Sequence, residues 1–548
     1  MHDLSFRWPH PRFATPLGPV SVRIHTGENV YGLDPDHVTV EHDGATTTIV
    51  SEGLTWAGGQ QTGPGRAQIR IVEADGTAVG ADGITVEVRA EHEDGVRCVA
   101  VVLHDQPAGD VTALREGDLP VPVTGRVVTY PNGWFDLATP LLGLRRPDGT
   151  VTVARSLDRQ VRGKRFAVVP HFADPSVCDF ELIADADATQ PSAEFDVPPW
   201  HLSRPGDPAP VLAAHTAHVR DAYELPTWEA RTDVPAWLRR TALVVSLNGM
   251  HFTGRVFLDY DGMLATLRRL AEQIEPERIL AYLPGWEGRY YRWYGRFDVD
   301  ERLGGEAGFR RLVDGAHELG ARVMPMFGAN VAARDLPGFE TWAAPGQLLN
   351  PSGHMPIGSV DWDASRHFDH SWGALINPSY EPWRRHLAQQ IVRLYRRYGF
   401  DGAFLDISAM YNNDPRGSTT EGLRALVELI RADCPDLLIA GEAWFDAIGG
   451  IIPLVQAGHR DTVPTLHDQP DPALFTGTNR SFGHVCLGDP AYGSTGVHEA
   501  GYNPHWRLPV REGVLPTLTV VDDTLDAAPE RVALIVQDAR EYAAKYLT

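Results

Sequence analysis

Two carboxylates at the ends of apolar runs carry the chemistry that this sequence offers. Gly402-Ala403-Phe404-Leu405-Asp406, entered through the turn Gly399-Phe400-Asp401-Gly402, ends on Asp406, and roughly one βα repeat later Leu437-Leu438-Ile439-Ala440-Gly441-Glu442 ends on Glu442. In a parallel α/β barrel the C-terminal ends of the strands are where reacting groups are placed. Cleaving a glycoside by the common route needs one carboxylate that attacks or positions water and a second, kept protonated, that donates to the leaving oxygen. Neighbouring strands lie about 4.8 Å apart, close to the roughly 5 to 5.5 Å between the carboxyls of retaining enzymes. The shorter Asp406 suits the attacking role, and Glu442, beside apolar Ala443 and Trp444, suits the proton donor. The competing reading of each acid is a helix cap or the partner of a nearby Arg.

Other polar residues fall at the same predicted mouth. Asn248 and His251 follow the first strand, and Asn330 follows the third. After the second comes Pro284-Gly285-Trp286-Glu287-Gly288-Arg289-Tyr290-Tyr291-Arg292-Trp293-Tyr294, where an aromatic face can stack on a pyranose while Glu287 and Arg289 bond hydroxyls. Packing of the loop by its own aromatics is the alternative for that segment. Trp444 adjoins Glu442, and Thr465-Leu466-His467-Asp468 is read as the end of a sixth strand, its His467 and Asp468 able to bond hydroxyls or to supply the proton. The third βα connection, about 328–380, is long enough to be a lid or rim. It holds Asp361, Asp363, His367, Asp369 and His370, but in no standard ligand spacing, so no metal and no cofactor is expected.

The elements that must position these residues fall into two regimes. Up to about residue 225, short β-rich runs alternate with turn residues: Val38 to Val50, Ala67 to Val72, Ile84 to Ala90, Val96 to Leu103, Val151 to Ala154 and Phe166 to Pro170. That spacing predicts an antiparallel β-sandwich with no long amphipathic helix. A proline-rich stretch, Val197 to Trp200 and Arg204 to Pro210, reads as a connection, with a boundary near 225 to 235. The expected division is 1–230 for the sandwich with its linker and 231–548 for a (β/α)8 TIM barrel. Its strands are read at Ala242 to Leu247, Arg278 to Leu283, Ala321 to Phe327, Gly402 to Leu405, Leu437 to Gly441, Thr462 to Leu466, Gly483 to Leu487 and Leu515 to Val521. Helices are read at Glu306 to Leu319 before Gly320, at Glu381 to Tyr398 before Gly399, after the capping box Ser418-Thr419-Thr420-Glu421, and from Asp526 to Tyr546.

Composition narrows the partners. A formal charge of −23 repels nucleic acid and anionic lipid, and no apolar run approaches the roughly 18 residues of a membrane span. The first residues lack both a basic and an apolar signal region, so a cytoplasmic location is expected. Cys98, Cys178, Cys434 and Cys486 are scattered without a C-x-x-C pair and read as buried thiols. A carbohydrate is the expected partner, and the oligomeric state is left open.

With these residues placed, the stretch from about 278 to 468 resembles the retaining α-glycoside hydrolases built on TIM barrels, the broad α-amylase, α-glucosidase and α-galactosidase group. The matching text is Ile376-Asn377-Pro378 with Trp383, then Gly399-Phe400-Asp401-Gly402 with Asp406, then Gly441-Glu442-Ala443-Trp444, and His467-Asp468. By the α-amylase pattern the resemblance implies Asp406 as nucleophile and Glu442 as acid/base. Phe404 stands where that pattern has an Arg, the His-Asp pair falls on strand six instead of seven, and no C-terminal β domain is expected. An N-terminal sandwich is closer to the α-galactosidase and α-glucosidase pattern, which implies Asp468 as the acid and Glu442 as a substrate ligand. The expectation is a divergent member that cleaves α-linked glycosides or short oligosaccharides with retention. A non-catalytic carbohydrate-binding or scaffold protein, or a glycosyl transferase or isomerase on the same barrel, is the alternative.

Overall fold

A computed structural model describes residues 10–74, 83–114, 118–131, 137–251, 254–288, 293–355, 373–456, 472–483, 507 and 509–547. The chain divides into two compact units, one of Met1–Leu225 with Phe445–Ala447, the other including Pro226–Trp444, Ile448–Val463 and Pro472–Thr548.

Among the described residues the first unit is built on two antiparallel sheets, of eight and nine strands. Its strands alternate as half-buried strands must: Arg66–Glu73 turns Ala67, Ile69 and Ile71 inward and leaves Arg70 exposed. Side chains of the two sheets meet edge to face where Phe166 approaches Trp200, ring centroids 5.4 Å apart. A buried polar network crosses this unit. Lys164 pairs with Asp158 at 2.9 Å, and Asp446 accepts hydrogen bonds from Tyr130 (2.6 Å) and Thr139 (2.9 Å). Burial pushes the Asp446 carboxyl up to about 6, against those hydrogen bonds. The expectation of no long helix here is corrected by Ala209–Ala222, which buries Val211, His215, Thr216 and Val219. Its prolines sit at the start, where a helix has no use for the lost N–H, and there they resemble a linker.

The second unit is organised around a parallel sheet whose strands are β1 (Leu243–Leu247), β2 (Ile279–Leu283), β3 (Arg322–Gly328), β4 (Gly402–Asp406), β5 (Leu438–Glu442), β6 (Leu454–Gln456), β7 (Arg480–Phe482), β8 (Val514–Leu515) and β9 (Thr517–Val520). β8 pairs with β7 and β9 pairs with β1, and only Pro516, which has no N–H to give, separates the two. The sheet is thereby barrel-like. β1, β2, β4 and β5 are buried along their whole length, so they read as continuous apolar runs instead of alternating ones.

Helices α1 (Tyr260–Ala271), α2 (Gly305–Leu319), α3 (Glu381–Tyr398), α4 (Thr419–Asp433) and α5 (Pro529–Tyr546) belong to this unit. α2 and α3 stop at Gly320 and Gly399, whose φ of 102° and 74° suit glycine. Ser418 accepts the Glu421 N–H at the start of α4 (3.3 Å). The sixth and seventh strands are corrections. Hydrogen bonding to β5 makes Leu454–Gln456 the sixth, and it ends on Gln456, while the run Thr462 to Leu466 lies outside the described residues. The seventh described strand is Arg480–Phe482, while 484–487 of the expected run Gly483 to Leu487 lie outside the described residues. The long third connection contains a small antiparallel pair, Val331–Ala333 with Gly373–Leu375, and a helical turn, Phe339–Trp342. Its segment 356–372, with Asp361, Asp363, His367, Asp369 and His370, is outside the described residues.

Candidate active site

Asp406 and Glu442 end β4 and β5, which are hydrogen-bonded neighbours in the register Leu405↔Gly441. Both are buried, at 1% and 6% exposure. The residue after each is a non-glycine in the left-handed region, Ile407 at φ 59° and Ala443 at φ 58°. Such a conformation costs on the order of 1–3 kcal/mol, more readily borne where surrounding contacts fix it. Here it turns the chain off the sheet directly after each carboxylate. The Ile407 N–H consequently donates to Glu442 Oε2 at 3.0 Å, and Ser408 ties the two strand ends together, its hydroxyl donating to the Glu442 carbonyl (3.1 Å) and accepting from the Glu442 N–H (2.9 Å).

Two glycines make that approach feasible. A Cβ on Gly441 would lie 2.2 Å from Ser408 Oγ, and a Cβ on Gly328 would lie 2.1 Å from the Tyr294 ring. Gly328 is the register partner of Asp406, and the space it leaves lets the Tyr294 hydroxyl donate to Asp406 Oδ2 at 2.7 Å. A hydrogen bond of that kind favours the ionised acid. Tyr294 is a site residue that sequence reasoning placed in a sugar-stacking loop without assigning it this role; the Gly328 that admits it is the signal that pairs the two.

Glu287, on the turn after β2, is a third carboxyl in the same region. It is 4% exposed, and among the described residues neither carboxylate oxygen has a hydrogen-bond partner. Burial first, then the nearby Asp406 charge, push it up to about 8 against the influence of its own backbone N–H. The buried phenol of Tyr282, on β2, is raised well above its usual range by burial and then by Asp406, Glu442 and Glu287, so it senses all three acids. Asn248, after β1, donates its amide to the Val520 carbonyl (3.3 Å), and Asn330, after β3, donates to the Ile407 carbonyl (2.7 Å). Both amide oxygens are buried without a partner among the described residues.

Other expected residues are placed differently. Trp286 is fully buried, its ring against Phe309 of α2 (5.1 Å) and Phe327 of β3 (5.6 Å), with its indole N–H on the Met326 carbonyl (2.8 Å). It packs the wall and offers no face to a sugar. Trp444 likewise packs against Phe475 (5.2 Å) and donates to Asn479 (3.1 Å). His251 is half-buried against Phe257 (6.1 Å), with burial and then Arg255 lowering its pKa. Arg289, His467 and Asp468 lie outside the described residues. In the first unit, Asp105, His171 and Asp179 come within metal-ligand distance of one another, but Arg12 (3.2 Å from Asp105) and Arg23 (3.9 Å from Asp179) already bring positive charge to that cluster. Among the described residues no helix is long and apolar enough to cross a membrane.

No family model and no curated protein matches the sequence. Solved structures do match in fold. The α-N-acetylgalactosaminidase NagBb from Bifidobacterium bifidum in complex with GalNAc aligns with a TM-score of 0.65 at 14% identity, over 96% of this chain and 88% of that one. Its ligand-free form gives 0.62 at 13%, over 97% and 93%. The galactosidase domain of the α-galactosidase-sucrose kinase AgaSK gives 0.50 at 14%, over 96% and 71%. At these identities the likeness is one of fold: a β-rich part joined to a barrel-like parallel sheet, as in these glycosidases.

Proposed function

We propose that this protein is a glycoside hydrolase that cleaves α-linked glycosides or short oligosaccharides with retention of configuration, using a (β/α)8 barrel (231–548) that follows a β-sandwich (1–230). The observation that carries the reading is the matched pair Asp406 and Glu442: two buried acids ending hydrogen-bonded parallel strands, each followed by a left-handed non-glycine residue. Asp406, held by Tyr294 in the form that attacks, bonds to the anomeric carbon as the glycosidic oxygen leaves with a proton from Glu442. Water then attacks the glycosyl-Asp406 ester, giving its proton to Glu442 and freeing Asp406. The substrates of the fold neighbours direct attention to α-galactosides and α-N-acetylgalactosaminides. Asp468 is the rival acid/base.

The test is a panel of aryl α-glycosides led by those two, with the anomer released first identified by NMR. Asp406→Asn is expected to lower kcat by on the order of 10⁴ and Glu442→Gln by roughly 10²–10⁴, with unfolding unchanged. Wild-type turnover in either variant would sink the assignment. Azide rescue of Glu442→Gln or of Asp468→Asn on an activated substrate decides which of the two is the acid/base.

A further inference from the structure

Among the described residues, four buried acceptor oxygens after β1, β2 and β3 are without donors. The Asn248 and Asn330 amide nitrogens are each committed to a backbone carbonyl, so their oxygens must face the other way, and both Glu287 oxygens are unpartnered. A buried polar atom left unsatisfied is costly, and these four acceptor oxygens fall on three consecutive strand ends. These ends are also linked: Gly249 and Met250 after β1 donate to the Pro284 and Gly285 carbonyls after β2, and Asn330 reaches the turn that follows Asp406.

Resting on the glycosidase reading, we propose that Glu287, Asn248 and Asn330 form an acceptor-only subsite for the hydroxyl or amide N–H donors of the sugar ring bound at Asp406, with Glu287 as its specificity-determining residue. Among the described residues the groups facing Glu287 are Asp406 from β4, Asp300 from the segment before α2 (itself paired with Arg302 at 2.7 Å), Tyr260 from α1 and Tyr282 from β2. Among these nothing offers Glu287 a positive charge of its own, so burial favours its protonated form. Sugar donors favour the carboxylate, and the proton leaves for solvent as the sugar binds.

Calorimetric titration of hexoses and N-acetylhexosamines into the whole protein at pH 7, in buffers of different ionisation enthalpy, reads this directly. The account expects release of about one proton per site for a sugar that binds, and a KM for the cleaved glycoside that falls as pH rises toward 8. Glu287→Gln, which still folds by its thermal transition, is expected to release no proton and to bind about tenfold more weakly at pH 8.5, since a hydrogen bond to a charged group is replaced by a neutral one. Binding without proton release in the wild type, a pH-independent KM, or unchanged release in Glu287→Gln overturns the subsite while leaving the glycosidase reading intact. If no sugar binds and no glycoside is cleaved, the glycosidase reading falls and the subsite with it.

Discussion

Tyr294 and Glu287 set the charge of the site in opposite directions. Tyr294 donates to Asp406, so Tyr294→Phe removes a hydrogen bond that the carboxylate form alone enjoys in full. The expected result is a loss of roughly tenfold in kcat/KM and an acidic limb of the pH–rate profile moved to higher pH, read on the same substrate as wild type. Glu287 titrates higher in the folded chain than in the unfolded one, to about 8. The folded state therefore binds the extra proton, and stability falls as pH rises from its ordinary carboxyl value toward 8. Glu287→Gln has no such proton to lose. Its melting temperature should exceed that of the ligand-free wild type by a margin that widens from pH 5 to pH 8, and a constant margin would show that Glu287 is not the titrating group. Neither role was legible in the residue alone. Glu287 was visible as a candidate from its place after a strand, but its lack of partners is a property of the packed structure; Trp286 beside it looked like a stacking surface because sequence does not say that its ring turns toward α2.

At the scale of elements, legibility followed length. β1 to β5 each bury five or more residues and stand out as apolar runs, two of them ending on the acids. β6 and β7 have three residues each and include Gln456 and Arg480, too short for a period to set them apart from the segments around them. The helices with a full stripe and a glycine stop, α2 and α3, were readable to within a residue; Ala209–Ala222, opened by prolines, was not. The Ser408 tie between the ends of β4 and β5 depends on Gly441 within β5, where added bulk meets Ser408 Oγ. Gly441→Ala is expected to cost about 1–3 kcal/mol of stability in chemical denaturation and to lower activity by more than the folded fraction explains. Full activity in a folded Gly441→Ala protein would show that the Ser408 tie does not position Glu442.

The whole molecule carries a formal charge of −23, with 72 acidic against 49 basic residues. Such a field steers charged ligands and is screened by salt, but it does nothing for a neutral sugar. For a neutral aryl glycoside, kcat/KM should change by less than about twofold between 20 and 500 mM salt. A steep decline with salt would indicate a cationic substrate and count against a glycoside of uncharged sugar. The β-rich start and the barrel-like continuation were both legible, because the period of the sequence changes from short alternating runs to apolar strands separated by amphipathic helices.

The most direct test of the central claim is to trap the covalent intermediate. A fluorosugar with an activated leaving group, matched to the glycoside that the substrate panel identifies, should stall after the first step and leave the sugar on one peptide, read by mass spectrometry after digestion. The account predicts the added mass on the side chain of Asp406. A label on Glu442, Asp468 or Glu287, or time-dependent turnover with no labelled peptide at all, would contradict it.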